Sequence, residues 1–519
     1  MLAVTDESSY STIAHMIRLC AGTSDGIRPS MMAPSIHALS MDFIDGMAMN
    51  GLRVLAFSSV VSEYGNAVRY PVDVVYTPLS EMRSNISYYI KPGDSIRAVV
   101  LPELASACWN FCHGAMLEMV YAPKCTHAEQ GAFQYCSALS AVFMPACEYV
   151  GSYAFQYCSA LSAVFMPACT YVGSYAFQSC SALATASLPA CTSVGSYAFQ
   201  GCYALTTVSL PACSYVGNVA FQYCSALTTV SLPVCTSVGD VAFQYCSALA
   251  TASLPACTSV GDYAFYGCSS LAIVSMPACT SIGSYAFGLC DITNAYFPAC
   301  ESVGSGAFKS CGRLSQFTFS DTLTRLSDSV FYGCGLTELD LPTMESIGGG
   351  AFGCCLSLRS VSIPACGTIS PYTFGSCAAL ESVYAPMCRI VDYDAFQMCS
   401  SLGKVCLSMC EFVGLYAFSE CETLSIAYLP ACSYLATSAF YSCHNLVSLY
   451  LTNVNSVTTI SSNTFNGTPI GGYSAVAGRF GSVFVPESLY SSFMTARYWS
   501  SIRTRIVSMT SSEIETLEF

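Results

Sequence analysis

The sequence predicts a repeat solenoid, mostly β and irregular, with one short parallel strand per 22-residue turn, a small helical N-terminal module and an α/β C-terminal cap. Phenylalanines recur at a fixed interval. Each interval holds a short alternating apolar segment that ends at a proline. Charged residues make up only 10% of the 519-residue chain against 53% hydrophobic, so much of the surface must consist of Ser, Thr, Tyr, Gln and small side chains.

The period is read from Phe111, Phe133, Phe155, Phe177, Phe199, Phe221, Phe243, Phe265 and Phe287, which follow one another at 22 residues without a slip. Phe308, Phe331, Phe352, Phe374, Phe396, Phe418 and Phe440 continue at 21 to 23, and Phe465 closes the series after 25. A chain of this length exceeds one ordinary globular core, and the repeat resolves it as an elongated array.

One turn, from Leu205, reads LTTVSLPACSYVGNVAFQYCSA. A period between about 20 and 29 residues with Leu-x-x-Val-x-Leu is a leucine-rich signature with one strand per turn. Period-2 alternation turns Leu205, Val208 and Leu210 inward and Thr207 and Ser209 outward. Pro211, with no N–H for the ladder, ends the strand. The second half carries a glycine where a tight turn is expected, an Ala-Phe pair to fill the interior, and a short extended or 3₁₀ piece.

The repeat resembles the BspA-like leucine-rich-repeat family, whose mark is LP-x-x-x-x-x-I/V-G-x-x-A-F-x-x-C-x-x-L. Leu188, Pro189, Val194, Gly195, Ala198, Phe199, Cys202 and Leu205 occupy every marked position. The resemblance runs from about Ile96 to Phe465. It implies the fold, and a role among adhesins and surface recognition proteins.

Four segments are expected: a helical attachment module at 1–50, a β-rich connector at 51–95, the solenoid at 96–471 and a cap at 472–519. In the first, Ile13, Met16, Ile17 and Cys20 share a helical face and Gly22 stops the helix. This block resembles an N-terminal module of phage and prophage tail-associated proteins, through Ile13, Ala14, Ile17, Arg18, Gly22, Thr23, Pro29 and Ile36. In the cap, residues 480–506 read as a strand followed by an amphipathic helix. Trp499, Leu489, Phe493 and Ile502 are then available to cover the last turn, as an exposed solenoid end requires.

Chemistry is close to excluded in residues 131–300, where Glu148, Asp240, Asp262 and Asp291 are the only charged side chains and Lys, Arg and His are absent. General acid–base catalysis needs a titratable pair within reach. No catalytic residue, cofactor or metal is expected. From Cys136 to Cys290 cysteines recur every 11 residues, half a period, which makes two ladders. Ladder neighbours stand close enough for a disulfide but run parallel without facing, so these residues are read as small buried apolar groups. Cys108, Cys112 and His113, the pair Cys354 and Cys355, and Cys406 with Cys410 are the nearest approach to metal-ligand spacing.

The net charge of −14 argues against nucleic acid. No segment reaches the ~18 apolar residues of a membrane span, and the N-terminus lacks a secretory signal pattern. Synthesis in the cytosol without a secretion address is therefore expected. Tyrosines two residues before or after the repeat phenylalanine are read as stacked rows or contact groups. The outward strand positions Phe143, Phe165, Ser187, Ser209, Ser231, Ser253, Ser275 and Tyr296 form the candidate contact face. The expected partner is a host-surface protein or glycan, with other virion proteins at residues 1–50. The expected setting is a virion or phage tail; a bacterial or protist cell-surface adhesin and an intracellular scaffold stand as alternatives.

Overall fold

The computed structural model describes residues 54–56, 74–76, 98–100, 104–107, 116–472 and 474–517. The N-terminal attachment module, and Cys108, Cys112 and His113, lie outside the described residues. The chain forms two compact units, Met1–Leu254 and Pro255–Phe519.

In the first unit each turn from Ala98–Val100 onward contributes two strands. The expected three-residue strand is there, as in Thr185–Ser187, Thr207–Ser209 and Thr229–Ser231. It pairs in parallel with its copy one turn away, Thr185 opposite Thr207 and Ser187 opposite Ser209. We call this the front ladder; it also takes in Val54–Ala56 and Val74–Tyr76 of the connector segment. The extended piece expected in the second half is a two-residue strand, such as Ser193–Val194 and Tyr215–Val216, in a parallel side ladder of its own.

Between the side strand and the next front strand the chain turns through the Ala-Phe pair. Phe199 is fully buried, and its N–H donates to the Ala220 carbonyl one turn on at 2.7 Å. Ring centroids of Phe155, Phe177, Phe199 and Phe221 follow at 5.2, 5.1 and 5.0 Å with nearly parallel planes. Each such aromatic pair adds roughly 0.5–1.5 kcal/mol beyond its buried area. Leu205, Leu210, Cys213, Val216, Ala220, Cys224 and Leu227 complete the buried interior of one turn.

The repeat glycine is required by close approach of the neighbouring turn. A Cβ on Gly195 would lie 2.6 Å from the Ser174 backbone nitrogen. The left-handed backbone positions fall elsewhere, two residues before and after each repeat phenylalanine from Phe133 to Phe440, and many hold tyrosine: φ is 60° at Tyr175 and Tyr197 and 63° at Tyr223. A non-glycine residue there costs about 1–2 kcal/mol. Tyrosine stacking offsets it, with Tyr153, Tyr175 and Tyr197 at 4.8 and 4.5 Å centroid separation.

The second unit repeats this plan with interruptions. Its front strands fall into three groups, ending at Gln316–Thr318, at Ser382–Tyr384 and at the cap. In the cap, Ser482–Pro486 pairs in parallel with Ser448–Tyr450 on one side and Ile506–Met509 on the other. Trp499 and Phe493 are buried, whereas Leu489 and Ile502 are half-buried. The Trp499 indole nitrogen donates to the Thr458 carbonyl at 2.7 Å, and its ring meets Phe465 and Phe493 at 6.0 and 5.1 Å. The helical part is short, Tyr490–Thr495 with a 3₁₀ stretch at Trp499–Arg505.

Candidate contact face

The front strands from Thr185–Ser187 to Thr251–Ser253 turn their first and third side chains outward and bury or half-bury the middle one, as the pleat requires. In the first unit the candidate residues stand in register down the ladder: Phe143 opposite Phe165, Phe165 opposite Ser187, Ser187 opposite Ser209, and Ser231 opposite Ser253. The first strand positions Thr185, Thr207, Thr229 and Thr251 lie on the same face and were not among the candidate residues. The alternation in LTTVSL is the signal that marks them.

Several other hydroxyls of the turn tie it to its neighbour. Thr192 donates to the Thr170 carbonyl at 3.1 Å, Ser214 to Thr192 at 3.1 Å and Thr206 to Ala184 at 3.1 Å. Thr185, Ser187, Thr207, Ser209, Thr229, Ser231, Thr251 and Ser253 have no hydrogen-bond partner for their side chains among the described residues. The face therefore offers donors and acceptors in pairs at the strand spacing of roughly 4.8 Å. At its N-terminal end the hydroxyls give way to rings, where Tyr121 and Phe143 stack at 5.1 Å and Phe165 is 43% exposed. The second unit holds the other two candidates, Ser275 opposite Tyr296, with Tyr296 47% exposed.

No charged residue of the 131–300 stretch sits on a front strand. Asp262 accepts from the Ser284 backbone N–H at 2.6 Å, and Asp291 pairs with Arg313 at 2.9 Å. The cysteine ladders are buried, and both series donate to carbonyls. Cys158 and Cys180 reach Phe133 and Phe155 of the preceding turn at 3.1 Å, while Cys169 and Cys191 reach the carbonyls two residues on at 3.3 Å. Burial, and secondly the neighbouring Cys191 and Cys147, push the Cys169 thiol up to about 12. Burial alone pushes Cys191 up to about 11. Such thiols stay protonated at neutral pH and are poor nucleophiles and ligands. Among the described residues no group of three His, Cys, Asp or Glu is placed to hold a metal.

A glutamine ladder escaped the sequence reading. The Gln134 amide donates to Gln156 and Gln156 to Gln178; Gln178 donates to Gln200 at 2.5 Å, Gln200 to Gln222 at 2.7 Å and Gln222 to Gln244 at 2.5 Å. In-register parallel copies make such amide ladders possible. The tyrosine rows also stack, Tyr135 with Tyr157 at 5.0 Å and Tyr149 with Tyr171 at 5.3 Å, and several of these residues are exposed.

Fold and face together define a parallel β-solenoid whose turns repeat one buried interior. The chain matches the family described as the BspA type leucine rich repeat region, over residues 101–184, 192–311, 301–425 and 367–474, and it belongs to that family. No curated protein matches it. Among solved structures it is similar to a leucine-rich repeat protein from Bacteroides ovatus, at 17% identity and TM-score 0.43, covering 94% of this chain and 99% of that one. A leucine rich cell surface protein from Faecalibacterium prausnitzii is similar at 16% identity and TM-score 0.28, over 87% and 90% of the two chains. The T. pallidum leucine rich repeat protein is similar at 28% identity and TM-score 0.27, over 34% and 78%. Leucine-rich repeat proteins mediate protein–protein interaction. Among the described residues no helix is long and apolar enough to cross a membrane.

Proposed function

We propose that this protein is a non-enzymatic recognition protein that engages a host-surface protein or glycan through the front face of its repeats. The observation that supports this reading most is the division of hydroxyls. Thr192, Thr206 and Ser214, between the ladders, hold one turn to the next, and the hydroxyls of Thr185 through Ser253 on the front strands have no internal use. The rings of Phe143 and Phe165 add apolar area with few torsions to fix. Contacts that repeat every turn act together, so a weak single contact yields useful avidity.

The test replaces Phe143→Ser and Phe165→Ser together and measures binding to cells or to glycan and protein arrays. Roughly tenfold weaker binding with an unchanged melting curve supports the proposed face; unchanged binding sinks it. The setting proposed for this activity is the tail of a phage or prophage particle, on the pattern of Ile13 through Ile36 in the sequence. Detection of the chain by mass spectrometry in purified particles tests it, and recovery only from cell-envelope fractions favours a cell-surface adhesin.

A further inference from the structure

We propose that the break in the second unit's ladders, between Gln316–Thr318 and Glu338–Asp340, is a binding cleft for a Lys or Arg side chain of a partner's basic peptide segment. The turn from Phe308 to Phe331 is 23 residues long. Gln316–Thr318 pairs with Asn294–Tyr296, and Glu338–Asp340 pairs with Ser360–Ser362, but the two strands do not pair with each other. The side ladder breaks at the same turn, between Ser302–Val303 and Arg325–Leu326. The remaining side stays closed: the Phe308 N–H donates to Val330 at 2.9 Å, the Ser310 N–H to Tyr332 at 2.7 Å, and Phe308 stacks on Phe331 at 5.5 Å.

The cause is visible in the side chains. Phe317 stands where the preceding turns hold Val274 and Ala295, and Phe319 where they hold Met276 and Phe297. The Phe317 ring takes a place against Phe331 at 4.4 Å, with Phe319 5.3 Å from Phe317. Phe317 adds a ring where the preceding turns hold Val or Ala, and a cavity of about 480 Å³ lies at the break beside it. Both rings are half-buried, whereas Val274 and Met276 are 1% and 0% exposed. A second cavity of about 310 Å³ shares Glu338 and Asp340 and continues over Ser360, Ser362 and Tyr384.

The rim is acidic and unneutralised. Asp321, Glu338 and Asp340 are exposed and have no partner among the described residues, and no Lys, Arg or His lines either cavity. Three carboxylates elsewhere in this unit are paired with arginine: Asp291 with Arg313 at 2.9 Å, Glu381 with Arg359 at 2.8 Å and Glu411 with Arg389 at 3.0 Å. A lone cation would leave the apolar floor unused. A Lys or Arg side chain uses both, laying its methylene stem on the rings and carrying its head group to the carboxylates. The run of the two cavities along successive strands suits an extended peptide.

The experiment uses the full chain and a fluorescent octapeptide of alternating Arg and Leu, with an alternating Glu and Leu peptide as its counterpart. Anisotropy titration is expected to show binding of the basic peptide alone. Glu338→Gln with Asp340→Asn is expected to weaken it roughly tenfold or more, while Glu487→Gln with Glu515→Gln in the cap leaves it unchanged. Equal binding of the acidic peptide, unchanged affinity in the cleft variant, or equal weakening in the cap variant would overturn the proposal. Circular dichroism of each variant reports the fold, and Phe165→Ser separates this site from the front face because it is expected to leave peptide binding intact.

Discussion

The turns from Phe133 to Phe243 and those from Phe265 to Phe465 solve one packing problem under different constraints. In the first set the phenylalanine rings follow at 5.0 to 5.2 Å; in the second the separations run from 5.2 to 6.1 Å. The first set joins its turns with a glutamine ladder. The second uses arginine–carboxylate pairs between residues 22 positions apart. The difference follows from repetition itself. An in-register parallel array of identical turns sets every side chain beside its own copy at roughly 5 Å, and a charged residue would there meet its like charge. A self-complementary amide, a hydroxyl or a ring meets no such penalty. Drift in sequence removes the restriction, because opposite charges can then occupy adjacent turns. The scarcity of charge between residues 131 and 300 is thus a consequence of the architecture and of the near-identity of its turns.

The largest expected effect concerns what the two sets share. Buried thiols in both are pushed up, Cys191 and Cys300 to about 11 and Cys213 and Cys388 to about 12, from 9.0. The folded-state values lie above the unfolded ones, so this contribution is complete below pH 9 and is lost as pH rises toward 12. Each tenfold weakening of a thiol's acidity on folding is worth about 1.4 kcal/mol. Summed over the ladders, that loss is expected to unfold both sets in alkali, followed by circular dichroism against pH. Loss of one set alone would break the shared-ladder account.

Next in size is Phe199→Ala, expected to cost roughly 3–5 kcal/mol in chemical denaturation. Phe440→Ala, beside the looser 6.1 Å contact with Phe465, is expected to cost less; the reverse order would contradict the packing comparison. Gln178→Glu with Gln200→Glu puts two like charges side by side and is expected to cost on the order of 2 kcal/mol at pH 7. Mutual repulsion raises the folded-state pKa of the new carboxyls, so the loss should vanish below pH 4 and grow as pH rises; pH-dependent melting measures it. The smallest effect is at Val241, a β-branched residue at φ 62°. Val241→Gly relieves about 1 kcal/mol of backbone strain, offset by lost burial and by the freedom glycine gains on unfolding, and is expected to leave the melting temperature within a few degrees.

Much of this was legible in the sequence because repetition amplifies it. The phenylalanine period, the inward Leu205, Val208 and Leu210 and the half-period cysteines each recur often enough to be read without a structure. The side strand was only partly legible, since two residues such as Ser193–Val194 are too short to display an alternation. Gln200 reads as an ordinary polar residue until its copies are seen in register. Tyr197 gave no sign of its left-handed backbone, which aromatic residues rarely adopt. The cleft at Phe317 left only a 23-residue spacing and a bulky ring at a Val or Ala position.

The central claim is that the front-strand hydroxyls serve a partner while Thr192, Thr206, Ser214 and the glutamine amides serve the coil. Ser209→Arg with Ser253→Arg changes the front face, and Tyr203→Arg changes an exposed residue away from the front strands. Binding of each variant to the same cells or arrays, alongside thermal melts, decides it: the front variant should lose binding with an unchanged melt while the Tyr203 variant keeps it. Full binding by the folded front variant would contradict the claim.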